Sequence, residues 1–192
     1  MAITVYDPCA EPIGAFVPEA DCLEEGSRIV GGYLVKTGFD LETLIDNTTI
    51  SAAIVAKNII PVVGLAGNWP AATSNKKPGM GFQREKHSSN TFAVPIKHYG
   101  VDANLPFWNK VNNSKNYSML FVFEDLSIWG ALDRSKEVIP MDIVMSPVST
   151  EELGGTRHFE GLANWTAKDL PYVLGAPVVT GFTKAALRAQ FS

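Results

Sequence analysis

Short apolar runs of strand length, broken by Gly, Pro or polar pairs, recur along this chain, and no βαβ rhythm accompanies them. YSMLFVFE (117–124) is apolar at successive positions, the pattern of a strand buried on both faces. EVIPMDIVM (137–145) places Ile139, Met141, Ile143 and Met145 on one face. RHFEGLANW (157–165) does the same with Phe159, Ala163 and Trp165, and sets His158, Glu160 and Asn164 opposite. TFAVPIKHY (91–99) alternates through Phe92, Val94 and Ile96; RIVGGYLVK (28–36) alternates with a bulge expected at Gly31-Gly32. IIPVVGL and LSIWGAL complete the set, and Pro61 and Pro95 are expected to confine their strands to edges or bulges.

Two stretches read as short helices. One is centred on ISAAIVAKN, with Asp40 and Ser51 as candidate N-caps; the other spans 104–113 behind Asn104, with Leu105, Trp108 and Val111 on one stripe. These elements predict a mainly β fold, an antiparallel β-sandwich or barrel with one or two short helices, a long central loop and terminal arms. Residues 1–27 form the N-terminal arm, 28–181 a β-rich assembly domain with loop 67–90 inserted, and 182–192 a C-terminal tail. With 192 residues, 46% of them hydrophobic, the chain can bury a sizeable core.

Cys9 and Cys22 are too few for a disulfide framework, and no histidine stands near them to complete a zinc site. A single bridge between them is an alternative to two free thiols in a reducing compartment, which is the expectation. The N-terminus lacks the basic and apolar regions of a leader, and no run of 18 apolar residues occurs, so neither export nor a membrane span is expected.

Charge is unevenly distributed. Residues 1–66 hold 3 basic and 9 acidic side chains, 67–90 hold 4 and 1, and 91–192 hold 9 and 10. This distribution argues against a general nucleic-acid binder and points the basic loop toward an acidic protein surface. A phosphate cradle around Gly79-Met80-Gly81 is excluded, because the loop lacks GxxxxGK[ST] and no helix follows it. His87, His98, His158 and Glu160 have no metal-ligand spacing, and no GxSxG elbow is present. The pairs Glu124-Asp125 and Glu151-Glu152 read as turns. No enzyme activity, cofactor or metal is therefore expected. Trp108, Trp129 and Trp165 read as core residues, whereas Trp69 and Phe82 stand within polar sequence and are expected to anchor the loop to its own domain or to another subunit. The candidate subunit-interface residues are Trp69, Lys76, Lys77, Phe82, Arg84 and Lys86.

The order GGYLVKTG, ISAAIVAKN, IIPVVG, PGMGFQRE, FAVPIKHYG, FWNKV, YSMLFVF and FEGLANWTAKDLP resembles virion structural proteins of tailed bacteriophages of Bacteroidetes hosts, of the tail-tube or tail-ring class. The resemblance covers about residues 26–171 and is one of layout. It implies a β protomer whose sheets join those of its own copies in a ring, commonly hexameric, and which contacts adjacent virion proteins. DNA would pass through the channel without sequence-specific binding, no membrane would be involved, and the chain, made in the host cytoplasm, would reside in the virion. The cysteine-bearing arm is longer than a bare tube protomer needs. That departure keeps a connector, baseplate or capsid-associated role as an alternative, beside a monomeric glycan- or peptide-binding β module.

Overall fold

A computed structural model describes residues 28–44, 46–79, 85–114, 116–132, 137–149, 157–167 and 172–173. The strands are β1 (Arg28–Lys36), β2 (Ile59–Asn68), β3 (Thr73–Lys77), β4 (Lys86–Tyr99), β5 (Tyr117–Phe123), β6 (Ile128–Gly130), β7 (Asp142–Val148), β8 (His158–Ala167) and β9 (Tyr172–Val173). Helix α1 (Asn47–Val55) follows a 3-10 turn at Leu41–Thr43, and α2 (Val101–Asn112) links β4 to β5. The fold is mainly antiparallel β, as the patterning predicts. All nine described strands belong to one sheet, in the order β7-β8-β4-β2-β1-β5-β6-β9, with β3 attached to β4.

Strands β1 and β5 are buried on both faces, which explains the unbroken apolar run in β5. One face of these strands contributes Ile29, Leu34, Met119, Phe121 and Phe123 to a core shared with Trp108, Met145, Phe159 and Trp165. Tyr33, Val35, Leu120 and Val122 face the other way, onto Leu41, Leu44, Ile50 and Ala53 around the 3-10 turn and α1. The Ser118 hydroxyl donates to the carbonyl of Ile139, and the Met119 N–H meets Met141 Sδ at 3.4 Å, so the lead-in to β7 lies against β5.

Local chemistry corrects several expected boundaries. Asp40 caps the 3-10 turn through Glu42, whereas α1 is capped by Asp46, whose carboxylate accepts from Thr49 N–H at 2.7 Å while the Thr49 hydroxyl answers at 3.1 Å. Ser51 is inside that helix. Helix α2 starts before Asn104, behind Gly100 at φ 84°, and the Asn104 side chain bonds back to the Gly100 carbonyl at 2.9 Å. Its buried stripe is Trp108 and Val111, with Leu105 exposed. The prolines sit in interior strands, but where a second neighbour has ended: β4 pairs with β2 only at 96–98, just past Pro95, and β2 pairs with β4 only at 65–67, beyond Pro61. There the missing N–H removes no ladder bond on that side.

Residues 1–27 and 182–192, expected as arm and tail, lie outside the described residues, as do Cys9 and Cys22.

Candidate assembly surface

The central basic segment is largely strand. Thr73 and Asn90 do not bracket a loop; β3 and the first half of β4 form a hairpin paired Thr73↔Thr91, Ser74↔Asn90, Asn75↔Ser89, Lys76↔His87 and Lys77↔Lys86. The described pairing of β4 with β8 runs from Asn90↔Ala167 to Tyr99↔His158. Residues 86–89 have β3 as their described neighbour, and the residues that follow Ala167 lie outside the described set. Ser88 is the extra residue of a bulge between Asn75 and Lys76, a device that increases twist.

Polar side chains hold this hairpin together in place of apolar ones. Asn75 Nδ2 donates to Thr91 Oγ1 at 2.7 Å and to Ser89 Oγ at 3.2 Å, and Ser74 Oγ bonds His87 Nδ1 at 2.9 Å. Lys76 reaches Glu85 at 3.4 Å, with its side chain 60% exposed. Lys77 makes no ion pair among the described residues and stands opposite Lys86 in the register.

The edge of β3 differs from that of β7, at one end of the strand order. On β7, Met145 turns its backbone away from β8, and Asn112 of α2 satisfies both groups: its Nδ2 donates to Met145 O at 2.7 Å, and its Oδ1 accepts from Met145 N at 2.8 Å. Two residues on, Pro147 has no N–H to offer. That edge is covered in the way sheets avoid pairing with strangers. The five residues of β3 have β4 as their one strand partner among the described residues, so their outer N–H and C=O groups face outward.

Among the expected interface residues, Lys76 and Lys77 lie on this open strand and Lys86 lies opposite in the ladder. Phe82 and Arg84 lie outside the described residues. Trp69 is placed differently. Its ring is 5.3 Å from Phe121, 5.4 Å from Trp129 and 5.6 Å from Trp165, all in edge-on geometry, with Phe92 and Phe123 close by. It packs on its own core and anchors the hairpin there, one of the two anchorings expected for it.

The histidines do not converge. His87 is in the hairpin; His98 is buried under α2; His158, one register step away, faces the opposite side of the sheet beside Tyr99 and 3.5 Å from Glu160. Glu160 also pairs with Lys97, an interaction that lowers its pKa and raises that of the lysine. Among the described residues no group of three or more His, Cys, Asp and Glu side chains is placed to hold a metal, and no helix is long and apolar enough to cross a membrane.

His98 has a structural role that its sequence context conceals. Trp108 Nε1–H donates to His98 Nδ1 at 3.0 Å, which leaves Nε2 to carry the ring proton and donate to the Val63 carbonyl at 3.0 Å. The ring is thus fixed as the neutral Nε2–H tautomer between β2, β4 and α2. Burial lowers its pKa, with the Val63 bond acting in the opposite direction. Below the unfolded value of about 6.5, the unfolded chain binds a proton that folded His98 refuses. Stability contributed here is complete above that pH and declines as pH falls toward the folded value, by at most about 1.4 kcal/mol per unit. Urea titrations from pH 7.5 to 5.5 are expected to show this slope in the native chain and its loss in His98→Asn; equal slopes in both would refute the assignment.

No family model, curated protein or solved structure matches the chain.

Proposed function

We propose that this chain is a non-enzymatic structural protomer that assembles with its own copies, and that it belongs to the tail-tube or tail-ring class of phage virion proteins. The observation that carries the reading is the β3–β4 hairpin: a polar, lysine-bearing strand with one partner among the described residues, while Asn112 clasps the edge of β7. Lysines on an edge repel an identical basic edge and favour an acidic one, so they act as a selector of partner. The two core clusters, one on each face of β1 and β5, supply a packed base for such an arm. The layout resemblance, not the hairpin, supports the finer assignment: a ring, hexameric in that class, enclosing a channel through which DNA passes, with adjacent virion proteins as further partners and the virion as its place of residence.

The test replaces residues 74–90 by Asn-Gly, joining Thr73 to Thr91, which face each other across the ladder and suit a two-residue turn. In negative stain the full chain is expected to form rings or tubes, and the shortened chain to remain monomeric with an unchanged circular dichroism spectrum. Identical assembly of both would make the hairpin an ordinary surface feature.

A further inference from the structure

We infer that the open edge of β3 receives the acidic N-terminal segment, residues 1–27, of a neighbouring copy. The inference rests on the assembly reading above and names the partner surface that reading leaves open. Two observations converge on it. Among the described residues the outer edge of the hairpin has no strand partner, and the sequence there holds Lys76, Lys77 and Lys86 against Glu85 as the single described acid. Residues 1–27 carry Asp7, Glu11, Glu19, Asp21, Glu24 and Glu25 and no Lys or Arg. No other stretch of comparable length in the chain is so one-sidedly acidic. An added strand would satisfy the outward backbone groups of β3 and bring carboxylates beside Lys76 and Lys77.

Reach permits the contact. The segment enters the fold at Arg28, which pairs with Asn68 at the end of β2, and the stretch from Asp7 onward can span about 70 Å when extended. Charge steering between a basic arm and an acidic segment would also speed the meeting of two copies and make it sensitive to salt.

Zero-length carbodiimide cross-linking of the full chain tests this directly, because it joins lysines to carboxylates in contact. Equal amounts of isotopically light and heavy chain are mixed before assembly, and the linked peptides are identified by mass spectrometry. Light-to-heavy links between Lys76 or Lys77 and acids of residues 1–27 are expected. They should be lost in Lys76→Glu/Lys77→Glu, which should also need at least tenfold more protein to assemble. Adding Asp21→Lys, Glu24→Lys and Glu25→Lys to that variant should bring assembly back toward the native concentration. Links confined to one copy, or particles that form without these links, would overturn the inference and leave the assembly reading standing. A full chain that stays monomeric at every concentration would overturn both.

Discussion

Replacing Trp108 by alanine is expected to destabilise the fold by about 4 kcal/mol, within the range for emptying a buried tryptophan site. The side chain is fully buried and joins α2 to the sheet. Its ring packs against Phe107 at 5.0 Å and against His98 at 5.5 Å, and its N–H is bonded to His98. Alanine would leave a cavity and strip the buried His98 Nδ1 of its donor, so packing and hydrogen-bond losses add. Helix α2 also presents Asn112 to the edge of β7, and its loosening would uncover that edge. Trp108→Phe separates the contributions: it keeps most of the apolar bulk, loses the donor, and should cost about 2 kcal/mol. Urea denaturation measures both, and a loss under about 1 kcal/mol for the alanine variant would contradict this account of α2 docking.

Gly161→Val is expected to be comparably damaging for a different reason. A Cβ at this position would lie 1.9 Å from the Val144 carbonyl oxygen and 2.6 Å from Met145 Sδ, on the neighbouring strand β7. Backbone cannot yield as a flexible side chain can, so β7 and β8 would have to separate at the middle of their pairing, at a cost of about 3 kcal/mol or more. Gly38→Ala is the contrasting control. Gly38 has φ 78° with nothing within 4 Å of an added Cβ, so its cost is limited to the left-handed backbone, about 1 kcal/mol. Thermal melts of the two variants should differ clearly; similar small shifts would show that β7 and β8 do not approach as closely as described.

How much of this was legible in the sequence depends on whether a segment carries an apolar face. Strands β7 and β8 are readable because Met145 and Phe159 fall on faces that alternate at the strand period, and β5 because its unbroken apolar run suits a strand buried on both faces. The hairpin escaped the same reading because TSNKK and its partner have no apolar side to mark the period; side-chain hydrogen bonds from Asn75 and Ser74 hold it instead. Its basic character was plain, and Lys76, Lys77 and Lys86 fall within it. What Trp69 anchors to is not legible locally, because its neighbours in sequence are polar, while its neighbours in space, Phe121, Trp129 and Trp165, come from distant strands. The tautomer of His98 and the clasp of Asn112 on Met145 depend on a helix crossing the sheet, and no local signal announces either.

The β3–β4 hairpin as the driver of self-assembly is tested most directly by negative-stain microscopy of the full chain beside the chain shortened between Thr73 and Thr91. The account predicts closed rings or tubes for the first and dispersed monomers of unchanged secondary structure for the second. A full chain that stays monomeric at high concentration, or a shortened chain that builds the same particles, would contradict it.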